Sequence, residues 1–480
     1  MNERGQLTVQ VLLYGSLVII ALAGFLVWVN SAITSVSKDA SRAQALAIAE
    51  AGIEYYRWHL AHAANDFQDG TGHAGPYAHN YYDKSGNLIG AYSLEITPPA
   101  TGTTIVKIRS TGTVAGDADV KKIVEVRMGI PSFAKYAAVL NANVRFGQGT
   151  EVYGQIHSNG GVRFDGIAHN LVTSALSTYQ DPDHTGGPEV GVHTHVNPPP
   201  GSGVDNTYRP LESSTSTMAT RADVFLIGRQ LAVPAVDFAG VTSNLSQIKA
   251  DARAAGYYKG PSGSNGYEIV LKTNNTFDIY KVTSLVAAPS NCSNIGSQSG
   301  WGTWSVSAKT LIGNYAIPSN GLIFIEDNVW VSGQINHSRV TIASAKFPDN
   351  ASTRTSITVN NNLLYTNYDG TDVISLIAAN NINIGMVSAD TLRVDAALIA
   401  QNGRVGRYYY LNPYCTNSVR TSITTYGMIG SNQRYGFAYT DGTGYITRNI
   451  TYDSNLLYGP PPSFPLTTDS YKIISWTEVQ

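Results

Sequence analysis

Residues Val11–Val29 read VLLYGSLVIIALAGFLVWV, 19 positions without a charge. As an α-helix this run covers about 28 Å, enough to cross a hydrocarbon core of roughly 30 Å. Polar residues flank it, with Glu3 and Arg4 before and Lys38, Asp39 and Arg42 after, a charge bias too weak to set orientation. A secretory signal has a shorter apolar stretch and a small-residue cleavage site. Here the helical pattern does not stop at Val29. Ser31 to Ala64 contain no proline and a single glycine, Gly52. Leu46, Ala49, Ile53, Tyr56 and Leu60 recur at spacings of three and four, one apolar stripe on a helix. The expectation is one continuous helix over about 7–64, apolar all round in its first half and amphipathic in its second.

The stripe needs a surface to cover it. Between Ala91 and Met128, Tyr92, Leu94 and Ile96, then Ile105 to Arg109 and Val120 to Val126, alternate apolar with polar residues. The Gly112 to Asp119 segment reads as a turn between the second and third of these. Three period-two strands predict a small antiparallel sheet ending near Pro131.

A helix half suited to lipid and half to a globular sheet, at the extreme N-terminus, resembles the type IV pilin family. The residues that carry the likeness are the short leader Met1-Asn2-Glu3-Arg4-Gly5, the apolar run behind it, and Ala49-Glu50-Ala51-Gly52, which is similar to the run in minor pilins. The resemblance implies cleavage by a prepilin peptidase after Gly5, so that the mature chain starts at Gln6. It also implies assembly with other pilin subunits, from a precursor spanning the cytoplasmic membrane once. The family usually has glutamate at the fifth mature position, where this chain has Gln10. A glutamate pairs there with a neighbour's amine, whereas Gln10 offers a neutral hydrogen bond. This departure favours a minor subunit over a major one.

Beyond Phe133 the chain changes character. Val144-Arg145-Phe146 recurs as Val162-Arg163-Phe164, 18 residues later. Ile323–Val331, Ile357–Tyr365, Leu376–Ile384 and Leu398–Gly406 share a short apolar strand, an Asn or Gly corner (Asn328, Asn362, Asn381, Gly403) and a second short strand. The first gap is the longest and leaves room for a further rung at the run beginning Val340. Imprecise repeats near 20 residues predict a parallel β-solenoid, because one rung cannot bury its inward side chains and stacked rungs can. Corner asparagines tolerate left-handed backbone and hydrogen-bond from rung to rung. An α+β insertion is expected at about 177–290. It holds a loop rich in Gly, Ser and Pro, a helix over Asn244 to Ala255 with Asn244 and Gln247 as capping residues, and a hairpin turning at Asn274-Asn275. The fold class is therefore mainly β. The expected domains are a leader 1–5, a transmembrane or filament-core helix 6–64, a small pilin-like sheet 65–131, and a solenoid head 132–480. This region resembles large exported pilin-like proteins of bacteria, which bring no established activity.

Chemistry is sparse. Charged residues make up 14% of the 480-residue chain and the net charge is −2, against a nucleic-acid partner, which needs a basic surface. Hydrophobic residues make up 43%, ample material for a core. There is no P-loop, GxGxxG or GxSxG pattern and no DxDxDG calcium loop. Asp165, Asp327, Asp369, Asp372, Asp390 and Asp395 form no recognisable pair and read as corner residues rather than a catalytic set. Cys292 and Cys415 allow either one bridge closing a long loop or two free buried thiols. His193 and His195, at i and i+2, would share a strand face and with Asp183 make a candidate metal site, in a loop also holding Asp181 and His184. Arg404 and Arg407 beside Tyr408 and Tyr410 form a candidate ligand patch. No cofactor is expected.

The functional expectation is a non-enzymatic minor or tip subunit of a type IV pilus-like filament. It would be found in the cytoplasmic membrane and in an extracellular filament or at the cell surface, with the head meeting surface polysaccharide or a host or neighbouring cell. The alternatives are a membrane-anchored polysaccharide-active enzyme on a β-helix scaffold and a pseudopilin-like secretion component.

Overall fold

The computed structural model describes residues 3–100, 102–238, 245–292, 296–466 and 470–479. Met1 and Asn2 of the expected leader and the expected capping residue Asn244 lie outside them. The chain divides into two compact units, one of Met1–Ile130 with Thr468–Gln480 and one of Pro131–Thr467.

In the first unit, helix α1 spans Glu3–His62, about 90 Å at 1.5 Å per residue. Leu7 through Val36 expose every large apolar side chain except Val29, which is partly covered. Further along, the stripe turns inward: Ala45, Ile48, Ala49, Ile53, Tyr56 and Leu60 are buried, and Leu46 packs at their edge. They cover strands β1 (Tyr77–Tyr82), β2 (Leu88–Thr97), β3 (Ile105–Val114) and β4 (Asp117–Gly129), which follow one another antiparallel. The expected three-strand sheet is thus joined by β1. It is also joined by a strand from the far end of the chain, Lys472–Val479, antiparallel to β4 with Lys472 opposite Gly129. This strand moves 468–480 out of the region expected as a head over 132–480. Its side chains are mostly exposed and its ladder has one partner, so nothing in its pattern marks it as part of this sheet.

Glycine decides how close the helix comes. A Cβ on Gly112 would lie 2.1 Å from the Ala45 carbonyl oxygen and 2.5 Å from the Ala49 nitrogen. A Cβ on Gly52 would lie 2.4 Å from Ser110 Oγ, and one on Gly90 2.5 Å from Ile48 Cδ1. Gly112 therefore sits inside β3, not in the turn expected from 112; that turn is at Ala115-Gly116, where Gly116 has φ +87°. A glycine within a strand here marks close backbone approach.

The second unit is built on parallel pairing. One ladder runs in register through Ile323, Ile342, Leu376, Leu398, Ile429, Ala138, Ile156 and Val172. These residues stack within one apolar core, and each large aliphatic among them is worth roughly 1.5–3 kcal/mol of burial. A second ladder runs through Tyr267, Val329, Ile357, Ile382 and Val405. The run at Val340 is a further parallel strand of the first ladder, whereas Ile357 pairs with Val329 and not with the position of Ile323. Both halves of the repeat read apolar–Asn–apolar, so an alignment by pattern slips between them. The two Val-Arg-Phe copies lie against each other, Val144 on Val162 and Phe146 on Phe164. Spatial order departs from chain order: the strands within 138–174 extend the ladder beyond Val419–Ser431. At one corner Asn159 Nδ2 donates to Asn141 Oδ1 at 2.7 Å, and Asn141 Nδ2 to Asn432 Oδ1 at 2.7 Å.

Helix α2 (Leu245–Ala255) buries Leu245, Ile248 and Ala252. Its Gln247 side chain bonds Asp251. The hairpin Gly266–Lys272 with Thr276–Leu285 turns at Asn275, φ +61°. The segment expected as an insertion is partly integral. Tyr257–Lys259 pairs with Ile323–Ile325, and Tyr267–Leu271 with Val329–Gly333, both parallel.

Candidate functional site

After Val172–Ser174 the chain leaves the ladder. Thr178–Tyr179 pairs antiparallel with Glu189–Val190, and Val192–His193 then returns parallel to Val162–Arg163. Glu189 is on the short strand before a bend at Gly191 and His193 on the one after it, and His195 follows two residues later. Asp181 and His184 come from the turn between Tyr179 and Glu189. The five ligand-capable atoms of Asp181, His184, Glu189, His193 and His195 all lie within 4.8 Å of one another. This is the one such group among the described residues. Glu189, His193 and His195 have no exposed surface.

The geometry is specific. His184 Nε2 is 3.0 Å from a Glu189 carboxylate oxygen and 3.5 Å from Asp181 Oδ2. His195 Nε2 is 3.1 Å from Glu189 Oε1, and His193 Nε2 is 3.5 Å from both Asp181 Oδ2 and Glu189 Oε2. The second ring nitrogens of two histidines face carbonyls, His195 Nδ1 at 2.8 Å from Asp205 O and His184 Nδ1 at 3.3 Å from Thr185 O. Burial pushes the Asp181 carboxyl up, but the adjacent His193, the Asp183 amide and Arg163 outweigh it and hold it well below the usual carboxylate range.

Of the three residues expected to hold a metal, His193 and His195 are brought together and Asp183 is not. Asp183 is taken up by Arg434, whose two guanidinium nitrogens donate to it at 2.9 and 2.5 Å. It belongs to an adjoining ion network in which Arg163 donates to Asp165 at 2.8 Å and reaches Asp181 at 3.4 Å. Glu189 went unread from sequence, because the bend at Gly191 separates it from the strand that carries His193.

The expected ligand patch is not a surface. Arg407 is fully buried, with Tyr408 and Tyr410 almost so. The Arg407 guanidinium donates to the carbonyls of Gly385, Met386 and Asn417 and to Ser388 Oγ, and its carbon lies 4.8 Å from the Tyr410 ring centre. A planar five-donor group meets several corner carbonyls at once, so it cements neighbouring turns. Arg404 lies 5.0 Å over the Tyr408 ring.

Cys292 and Cys415 form a disulfide across a sequence separation of 123 residues. All six aspartates read as corner residues accept from backbone amides. Asp372 accepts from the amides of Ser338, Thr366 and Asn367, Asp395 from that of Tyr365, and Asp390 from that of Thr421. Gly5 and Gln6, the expected processing site, lie within α1, and Gln10 is exposed on it. Among the described residues, α1 is the one helix long and apolar enough to cross a membrane.

No family model and no curated protein matches the chain. Among solved structures it is similar to the competence-associated pilin ComZ from Thermus thermophilus, at 14% identity and a TM-score of 0.32, over 92% of this chain and 97% of that one.

Proposed function

We propose that this chain is a minor or tip subunit of a type IV pilus-like filament. In this reading α1 anchors the precursor in the cytoplasmic membrane, and a prepilin peptidase cuts between Gly5 and Gln6. The apolar half of the helix then exchanges lipid for the helices of other subunits, and residues 131–467 form a β-solenoid head for contact with surface polysaccharide or another cell. The observation that carries the reading is the division of α1 itself. One uninterrupted helix leaves its apolar residues from Leu7 to Phe25 exposed and buries Ile48, Ile53, Tyr56 and Leu60 on an antiparallel sheet. A soluble globular protein has no use for the first half. Gln10 in place of a carboxylate favours a minor position. The parallel registers and the asparagine ladder support a solenoid. A non-enzymatic role is supported by the burial of Asp181, Glu189, His193 and His195.

The test is to shear filaments from native cells and read the N-terminus of this protein by mass spectrometry. A mature start at Gln6 in the sheared fraction is the expected result. A chain that still begins at Met1, or is cut beyond Val29, and is found only with membranes or free in the medium, refutes it.

A further inference from the structure

We propose that Asp181, His184, Glu189, His193 and His195 form a closed structural site for one divalent transition-metal cation, zinc by its donor set. The first argument is about lone pairs. A carbonyl oxygen only accepts, so the contacts to Asp205 O and Thr185 O place the proton of His195 and of His184 on Nδ1. Nε2 of each ring then faces the Glu189 carboxylate, at 3.1 and 3.0 Å. Those contacts need a positive bridge, which either a second ring proton or a metal ion supplies. Metal-bound histidines are held in this way, with the far nitrogen donating to a backbone carbonyl.

The second observation is independent. His193 has no exposed surface, and neither of its ring nitrogens makes a hydrogen bond. A buried imidazole without a partner is costly. Its Nε2 is aimed at the same two carboxylates, 3.5 Å from each. Coordination supplies the missing partner.

The third argument is spacing. Ligand atoms about 2.0–2.1 Å from a tetrahedral zinc stand about 3.3 Å apart, and about 3.0 Å apart between neighbouring positions of a higher-coordinate shell. The histidine-to-carboxylate separations here are 3.0, 3.1 and 3.5 Å, and the five ligand atoms together lie within 4.8 Å of one another. Three imidazoles exclude calcium and magnesium as the preferred ions, because those take oxygen shells. Two carboxylates neutralise the dication. Closure to solvent makes the site structural, since a catalytic zinc keeps an open position.

Its role follows from the local fold. The 178–195 excursion is held by ladders of two residue pairs each. The ligands come from both ends of that loop, so the ion would close it onto the stacked rungs and contribute its binding energy to folding.

The untagged full-length chain, purified in detergent at neutral pH, would be dialysed and its metal content read by plasma mass spectrometry. Thermal unfolding would be followed with EDTA, and then after adding back zinc or calcium. We expect about one zinc per chain, a lower unfolding midpoint on stripping, and recovery with zinc but not with calcium. His193→Ala combined with His195→Ala should lose zinc retention tenfold or more. Should that variant not fold, cobalt added to the stripped wild-type protein should give the visible absorption of a four- or five-coordinate nitrogen–oxygen site. Negligible bound zinc with no change in midpoint, equal recovery with calcium, or a purely hexa-aquo cobalt spectrum would each overturn the proposal.

Discussion

Gly112→Ala tests the packing of α1 on its sheet most directly. The added methyl would stand 2.1 Å from the Ala45 carbonyl oxygen, 2.5 Å from the Ala49 nitrogen and 3.1 Å from its Cα. All three are helix backbone, so no rotamer change relieves the contact. Reaching an ordinary separation requires the helix to retreat from β3 by about 1 Å, in an interior that tolerates little change of volume. Overpacking of this kind costs about 1–3 kcal/mol. If the turn detaches instead, the burial of Ile48 is lost, at roughly 1.5–3 kcal/mol. Either route gives about 2–3 kcal/mol, which for a unit of this size lowers its unfolding midpoint by roughly 5–15 °C. Hydrogen exchange read by mass spectrometry on the full chain in detergent resolves the unit. Protection should fall in peptides covering 42–62 and 88–114 and stay unchanged in 320–430. Gly24→Ala is the control, because nothing lies within 4 Å of that position. Unchanged exchange in 42–62 and 88–114 would show that the helix does not rest on the sheet at Gly112, and the account of this unit would fail.

Further outcomes follow from the same structure. Replacing Cys292 and Cys415 by alanine removes a link across a separation of 123 residues, worth about 5 kcal/mol in the chain-entropy model; an unchanged urea midpoint for the second unit would contradict it. Burial pushes the Glu326 carboxyl up, while Lys249 and the Tyr258 hydroxyl at 2.5 Å more than offset this and hold it below its ordinary value. A depressed carboxyl stabilises the fold above its unfolded value of about 4.3, and that stabilisation is lost as pH falls below it. Glu326→Gln should therefore flatten the acid side of the stability curve and leave its slope near neutrality alone, as read by denaturation across pH. Replacing 130–471 by a turn of about four residues that joins Gly129 to Lys472, which face each other across the ladder, should leave a folded helix-and-sheet unit; loss of cooperative unfolding would refute the division of the chain.

What was legible in the sequence was what short-range periodicity encodes. The stripe through Ala49, Ile53, Tyr56 and Leu60, the alternation in β2 and β3, and the paired Val-Arg-Phe copies are local patterns with one physical reading each. The strand Lys472–Val479 was hidden because its partner lies more than 300 residues earlier and its own side chains are mostly exposed. Gly112 was ambiguous because glycine serves both turns and close approaches, and only the helix above it distinguishes them. Arg407 and Asp183 were misplaced because a charged residue in a polar loop reads as surface. Their partners, the carbonyls of distant corners and Arg434, are brought near by the stacking of rungs. Glu189 was a lone glutamate near glycines, without company until the fold delivered Asp181 and His184 beside it.

The pairing of Gly129 with Lys472 also has a mechanical meaning. The inserted region is held by two covalent strands that leave the sheet side by side, so a pull through it reaches the sheet at two adjacent backbone points instead of one. Tension on Lys472 is passed to the sheet through the ladder of Lys472–Val479 to β4. A region hung from a single terminal strand would put the whole pull on one connection; this chain divides it between two.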